Sequence, residues 1–320
     1  MKYLLTLLFS FNAMAVEYSE ITSALKDGNK DKALELVNQL GKSSPDFNKV
    51  DYVRAIIAFR KNKLDDAEDY IEKAIKHYPH ADTYNLAGGI YGSQAGAANI
   101  FSKLGYAKKS KKYLQMAYEA DPTNVNFISG LIQFNIQAPG LAGGDMDAVE
   151  PLLKQLDKLD KNQAVQLRAQ YLAEEEDEEA ALKYISTEIN LNPEALNYRF
   201  AKAFILIKMD KSKEAFKEFT YVVDHKPENW KTDNTWANTL YQRGKLCSVE
   251  EIYLEIGRDS YLEYINMVQV KGTPDKSWAT YRLGLIYQHL DQDSLAQKAF
   301  EKALTMSPEK NLKNLLEDQI

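Results

Sequence analysis

The sequence LGLIY at Leu283–Tyr287 decides the fold. It is followed at fixed distances by small or aromatic residues and a proline: Ala296, Phe300, Ala303 and Pro308. Gly284 and Ala296 are small, as is needed where two helices approach each other closely. Pro308 cannot continue a helical hydrogen-bond ladder, so it marks the end of the second helix. The stretch therefore predicts two helices joined by a turn.

The same spacing recurs upstream. Two further copies are clean: Ala55, Ala67, Ile71, Ala74 and Pro79 in one, and Ala203, Ala215, Phe219, Val222 and Pro227 in the other. The closing prolines are periodic as well, since Pro45 and Pro79 are 34 residues apart, and so are Pro193 and Pro227. Self-similarity at this period is the sequence signature of stacked helix–turn–helix units.

These residues and spacings resemble those of the tetratricopeptide-repeat family. The resemblance implies an all-α fold, a right-handed superhelical solenoid of stacked antiparallel helix pairs. We predict seven to eight units across residues 16–320, each contacting only its neighbours. Two expanded units cover about 84–160, a degenerate unit covers about 230–272, and a clean terminal unit covers about 277–310. Around Tyr261–Val270 we expect an extra helical segment.

Residues 1–15 are predicted to be a secretory signal peptide. Lys2 supplies the positive charge, Tyr3–Phe11 the apolar stretch, and Ala13–Ala15 a small-residue cleavage site. The apolar stretch is too short to span a bilayer. We therefore expect a periplasmic or secreted protein after cleavage near Ala15.

Composition narrows the partner classes. The formal net charge is −6, which does not favour nucleic acid or an anionic membrane as a partner. Cys247 is the only cysteine, so the chain cannot form an internal disulfide. The expected partner is a protein or a peptide.

Motifs of catalysis and cofactor binding are missing from the sequence. It contains no G-x-S-x-G, no H-E-x-x-H and no glycine-rich phosphate loop. His77 and His80 are separated by Pro79, which breaks the helix that would place them on one face. We therefore predict a non-enzymatic protein without a metal or cofactor.

Glycine marks where the repeat is broken. Nine of the fifteen glycines fall between Gly88 and Gly144, the interval in which two insertions interrupt the repeat. We predict that both insertions are loops and that they form one binding edge, which contains Gly92, Gly96, Pro139, Gly140, Gly143 and Gly144. Two alternatives stay open: that the glycines only accommodate irregular geometry, or that Ala95–Leu104 belongs to an elongated helix. The stretch Gln137–Asp145 resembles one in exported bacterial repeat proteins of unassigned function.

The family resemblance also implies a concave groove lined by the first helix of each unit. The candidate partner-binding residues are Tyr52, Phe59, Arg60, Asn85, Tyr91, Phe127, Asn135, Gln166, Phe200 and Phe204, with Trp278 and Tyr281 as further candidates. This lining of aromatic and amide side chains departs from the Lys/Arg/Asn clamp with which some family members hold a terminal carboxylate. That specificity is therefore not carried over.

Three hypotheses of function follow. The first is an interaction scaffold of the bacterial envelope that binds a partner segment in the groove and at the glycine-rich edge. The second is an envelope-assembly or secretion accessory factor that acts through its convex surface and a lysine cluster: Lys103, Lys108, Lys109, Lys111 and Lys112. The third is a hydrolase whose site is assembled across repeats.

Overall fold

A computed structural model describes residues 16–320, except for 176, 232, 271, 307, 309 and 320. The predicted signal peptide lies outside the described residues. Seventeen α-helices and two short 3₁₀ turns, and no strand, occur in the described part of the chain. In chain order the helices are α1 (Tyr18–Lys26), α2 (Lys30–Gln39), α3 (Val50–Arg60), α4 (Leu64–His77), α5 (Ala81–Ala97), α6 (Ile100–Ala120), α7 (Val125–Gln137), α8 (Val149–Leu159), α9 (Lys161–Glu174), α10 (Glu178–Leu191), α11 (Leu196–Lys208), α12 (Ser212–Asp224), α13 (Asn234–Val249), α14 (Leu254–Asn266), α15 (Lys276–His289), α16 (Asp293–Thr305) and α17 (Lys310–Glu317).

Seven pairs of consecutive helices pack on each other among the described residues: α1 with α2, α3 with α4, α5 with α6, α9 with α10, α11 with α12, α13 with α14, and α15 with α16. The prediction of an all-α fold built of stacked helix pairs is therefore confirmed. After the last pair, α17 packs on α16 and buries Leu312 and Leu316. No helix among the described residues is both long enough and apolar enough to cross a membrane.

The helix pairs belong to two compact units. Unit 1 contains the described residues up to Phe127, together with Leu141–Gly143, and unit 2 contains Ile128–Gly140 and the residues from Gly144 onward. In unit 1, alanine and isoleucine side chains from α3 and α4 are fully buried at the motif positions. In unit 2, one core joins α13, α14 and α15 around Trp236.

The turn inside a pair has a repeated geometry. Asn62, Asp210 and Asp291 adopt left-handed backbone angles, with φ of 53°, 56° and 55°. The amide after each of them donates to the carbonyl five residues earlier, as in Lys63 N to Ala58 O at 3.0 Å. Asparagine and aspartate tolerate this conformation better than other side chains, and the hydrogen bond ends the first helix. These short polar turns set the antiparallel return of the second helix.

The degenerate unit differs from its prediction. Residues 234–266 form an ordinary pair, α13 and α14, and Tyr261 lies inside α14. The expected extra helix around Tyr261–Val270 was therefore wrong. An irregular connection follows α14 and buries Met267 and Val270 against the core of the pair. This connection, 267–275, and the equally long connection 225–233 before α13 account for most of the additional length of the repeat.

Candidate binding cleft

Three first helices of unit 2, α9, α11 and α13, begin around one cleft. Its volume is about 660 Å³. Its walls are the first turns of the three helices and the connections that lead into them. The lining residues are Asp160, Asn162, Gln163, Gln166, Glu194, Ala195, Leu196, Asn197, Phe200, Pro227, Asp233, Asn234, Thr235 and Asn238.

Amide side chains dominate this lining. Asn162 and Asn197 each occupy the second position of their helix, and Asn234 occupies the first position of α13. Gln166 and Asn238 each lie one turn farther along their helices. Repetition of the helix pair therefore places amide groups at corresponding points of three consecutive first helices. Each amide offers both a hydrogen-bond donor and an acceptor.

One of these amides is held by a buried tyrosine. The Tyr198 hydroxyl donates to Asn162 Oδ1 at 2.7 Å. Burial of the ring, and then the nearby carboxylates of Glu188 and Asp160, raise the pKa of Tyr198, so its hydroxyl keeps the proton it donates. This bond orients the Asn162 amide, whereas the half-buried Asn197 amide bonds to no other described residue.

The charges of the cleft are negative. Asp160, Glu194 and Asp233 lie in its lining, and no lysine or arginine does among the residues that the structure describes. Asp160 accepts from Gln163 N at 2.9 Å, and Asp233 accepts from Trp236 N at 2.7 Å. These two carboxylates thus satisfy the amides at the starts of α9 and α13 and offset the positive ends of both helices. A ligand carboxylate would be repelled here.

Aromatic rings lie at one side of the cleft. The rings of Phe200 and Phe204 are 5.0 Å apart, and both pack against Phe219, at 6.0 Å and 5.8 Å. Phe200 is half-buried and lines the cleft, and Phe204, one turn farther along α11, is 41% exposed. The pair offers an apolar surface beside the amides.

Three of the predicted residues therefore come together in unit 2: Gln166, Phe200 and Phe204. Three others are core residues, since Tyr91 and Asn135 are 1% exposed and Phe127 is 3% exposed. Their prediction as surface residues was wrong, because an aromatic or amide residue on a first helix serves packing between helices equally well. Of the two further candidates, Tyr281 is buried and Trp278 half-buried in the last pair of unit 2.

The remaining candidates lie in unit 1, where Tyr52, Phe59 and Asn85 are half-buried. Tyr52 packs on Tyr78 with ring centroids 5.9 Å apart, and Phe59 packs against the α3–α5 core. Their aromatic rings thus contribute to packing within unit 1.

Arg60 has a structural role. Its Nη1 donates to the carbonyl of Leu25 at 2.7 Å, and Lys30 Nζ donates to the carbonyl of Arg60 at 2.8 Å. Unit 2 repeats the first of these bonds, because Lys208 Nζ donates to the carbonyl of Ala173. In both units a cation at the end of one first helix binds a carbonyl at the end of the preceding first helix.

Arg60→Ala is expected to lower the free energy of unfolding by about 1 kcal/mol, since it leaves a partly buried carbonyl without its charged donor. Urea unfolding followed by circular dichroism measures the change. Lys217→Ala, on the exposed face of α12, is the control and should leave stability unchanged. Equal stability of both variants would contradict this role of Arg60.

The two glycine-rich insertions have different structures. Gly92 and Gly96 lie inside α5, so the predicted loop at the first insertion was wrong. The alternative of an elongated helix holds in part: α5 has 17 residues and α6 has 21, but the connection at Ala98 and Asn99 divides Ala95–Leu104 between the two helices. The second insertion is a loop around the 3₁₀ turn Gly140–Ala142. Pro139 and Gly140 are exposed there, and Gly143 has a φ of +95°.

The cleft contains residues that the sequence predictions missed. Asn162, Asn197, Asn234 and Asn238 lie in its wall. Alignment of the helix starts would have found them, since Asn162 and Asn197 are 35 residues apart and occupy the same helical position. The groove prediction favoured aromatic residues and overlooked this repetition of small amides.

The family match and the similarity to one solved structure, yeast Tom70, agree with the fold. Residues 279–310 match the tetratricopeptide-repeat family. The crystal structure of yeast Tom70 is similar over 96% of this chain and 65% of that chain, with a TM-score of 0.67 and 18% sequence identity. A tetratricopeptide repeat protein from Parabacteroides merdae has a TM-score of 0.44 at 14% identity, over 85% of this chain and 98% of its own. No match was found among curated proteins.

Proposed function

Because this chain is a tetratricopeptide-repeat protein, we propose that it is a non-enzymatic interaction scaffold that holds an extended segment of a partner protein. We assign the binding site to the cleft formed by the starts of α9, α11 and α13 in unit 2. The repetition of amide side chains at these three helix starts is the observation that carries the proposal.

Amides at regular intervals suit the backbone of an extended peptide. Each residue of such a peptide, except proline, presents one N–H and one carbonyl that need hydrogen-bond partners. Asn162, Asn197 and Asn238 offer both kinds of partner from successive helices. Phe200 and Phe204 add an apolar surface for one side chain of the segment. Backbone bonds would supply affinity, and the aromatic surface would supply selectivity.

The charge of the cleft selects the segment. Three carboxylates line it, and no lysine or arginine accompanies them in the described part of the chain. A neutral or basic segment is therefore favoured over an acidic one or a terminal carboxylate, in agreement with the missing Lys/Arg/Asn clamp. The glycine-rich edge of the sequence-based proposal is reduced to its second loop, Pro139–Gly144.

The non-enzymatic part of the proposal rests in part on Cys247. This thiol is completely buried, and its burial raises the pKa to about 12. A thiol in that state is neither accessible nor ionised near neutral pH, so it does not serve as a nucleophile. The exported location rests on the predicted signal peptide, and amino-terminal sequencing of the mature protein tests it.

A library of random peptides displayed on phage tests the cleft. We expect the wild-type protein to select neutral or basic sequences, and the double variant Asn197→Ala/Asn238→Ala to bind the selected peptides at least about tenfold more weakly. Both side chains are half-buried, and the bond that Asn238 Nδ2 donates to Gly272 O is long at 3.4 Å, so the variant should stay folded. Lys213→Ala/Lys217→Ala, on the exposed face of α12, is the matched control. Undiminished binding by the folded cleft variant would refute this assignment.

A further inference from the structure

The α5/α6 hairpin of unit 1 ends in an unusual tip. With 17 and 21 residues, its helices are longer than those of α9 and α10, which have 14 each. We define the tip as residues 95–105, the end of α5, the connection and the first turns of α6. The side chain of Asn99 accepts from the backbone N–H groups of Phe101 and Ser102, which fixes the start of α6.

The tip exposes large apolar side chains. Phe101 is 92% exposed, more than any other large hydrophobic side chain in the described part of the chain. Leu104, three residues later and on the same face of α6, is 41% exposed. Gly96, Ala97 and Gly105 around them are exposed as well. The face of the tip that contains Phe101 and Leu104 is therefore apolar and exposed, whereas Ala98, Asn99 and Ser102 line a separate cleft of about 450 Å³.

Lysines continue this face along α6. Lys108 and Lys112 follow Phe101 at intervals of seven and eleven residues, which keeps them on the same side of the helix, and both are exposed. Lys103 lies within the tip, and neither Lys103 nor Lys108 forms an ion pair with another described residue. Residues 83–118 contain five lysines and no aspartate or glutamate, in a chain whose net charge is −6.

Nearby carboxylates lie on the other side of α6. Lys109 pairs with Glu68 at 3.1 Å and with Glu72 at 3.7 Å, both on α4. Gln94 of α5 donates to Glu68 at 3.1 Å and lies 3.4 Å from Asp65. These acidic groups are engaged by Lys109 of α6 and Gln94 of α5. They leave the charge of the Lys108–Lys112 face uncompensated.

We propose that the tip is a membrane-surface contact that inserts Phe101 and Leu104 into an anionic lipid bilayer. Seven residues of helix separate Phe101 from Lys108, which corresponds to about 10 Å along the axis. Apolar side chains of interfacial helices reach about 5–10 Å into the headgroup boundary, so Lys108 would lie at the level of the phosphates. Lys103 and Lys112 would add attraction to anionic headgroups. Exposed apolar side chains at the end of a hairpin, with lysines one to three helical turns away, fit the surface of an anionic lipid bilayer.

Sedimentation of the full chain with vesicles tests this contact. We expect binding to vesicles of phosphatidylglycerol and phosphatidylcholine in equal amounts, and much weaker binding to phosphatidylcholine alone. Phe101→Ser/Leu104→Ser should weaken binding by about tenfold or more. Each of Lys103→Gln, Lys108→Gln and Lys112→Gln should weaken it by about fivefold at low salt. All these positions are exposed, so the variants should keep the helicity of the wild type.

Matched variants in unit 2 distinguish binding through the tip from non-specific binding through any exposed apolar or lysine side chain. Leu191→Ser/Val268→Ser removes two apolar side chains that are 67% and 77% exposed, and Lys158→Gln/Lys213→Gln/Lys217→Gln removes three exposed lysines. Both should bind like the wild type. The proposal is overturned if the wild type does not bind anionic vesicles, or if the tip variants bind as well as their controls. If the tip variants bind as well as their controls, vesicle binding lies elsewhere in the chain. Residues 1–15 are then one candidate, because every variant contains them.

Discussion

Gly144→Ala is expected to lower the free energy of unfolding by about 3 kcal/mol or more. A loss of this size is large for a single substitution. A Cβ atom at this position would lie 1.7 Å from the carbonyl oxygen of Ala138, far inside any non-bonded contact. The loop would have to open by more than 1 Å, which breaks the 3.2 Å hydrogen bond from Gly144 N to Pro139 O. The adjacent bond from Ala148 N to Asp145 Oδ1 would be strained as well.

Thermal unfolding followed by circular dichroism measures this loss. Gly140→Ala is the control in the same loop, because a Cβ there meets nothing within 4 Å and the φ is not positive. We expect that variant to be as stable as the wild type, or slightly more stable, since alanine restricts the unfolded chain. A Gly144→Ala protein that melts together with the control would show that the loop can rearrange at no cost.

The regular part of the fold could be predicted from the sequence because each motif residue has one physical task. Ala55 and Ala67 are completely buried where α3 and α4 meet, and Ala296 and Phe300 are buried between α15 and α16. Small residues at a close helix crossing, followed at a fixed spacing by a proline beyond the second helix, are typical of stacked helix pairs. Their spacing therefore predicted both the helix pairs and their order.

The glycine-rich insertions could not be assigned in the same way, because glycine has several uses. Gly96 lies in a helix with open space around it, whereas Gly143 has a positive φ and Gly144 approaches a carbonyl. A sequence pattern cannot distinguish these three roles, because each position is simply a glycine. Only the surrounding backbone distinguishes a helix extension from a loop that requires glycine.

The cleft was predicted in part, for a related reason. Gln166 and Phe200 line it, but Phe127 and Asn135 are buried. Aromatic and amide residues on a first helix are needed both for packing and for binding, so their type does not tell which role applies. The lysine cluster of α6 was recognised in the sequence, but the exposed Phe101 and Leu104 beside it were not, because apolar residues in a helical stretch are expected in the core.

Gly284→Ala is expected to destabilise the last helix pair by about 2 kcal/mol. A Cβ on Gly284 would lie 2.4 Å from Cε1 of Phe300, and overpacking of this kind costs about 1–3 kcal/mol. Phe300 is 1% exposed and packs on Tyr281, with ring centroids 5.8 Å apart, so its ring has little room to move. The gain in helix propensity from alanine, at most about 1 kcal/mol, offsets only part of the cost.

A double-mutant cycle with Phe300→Leu isolates that clash. Leucine lacks two of the three Phe300 atoms that a Cβ on Gly284 would meet, Cε1 at 2.4 Å and Cζ at 2.9 Å. Gly284→Ala should therefore cost at least about 1 kcal/mol less in the Phe300→Leu background than in the wild type. Gly96→Ala is the control for helix propensity, because it lies in α5 with nothing within 4 Å, and it should raise stability. If the Gly284→Ala cost is the same in both backgrounds, the steric explanation of this motif glycine is wrong, and its role must lie in the backbone of α15 itself.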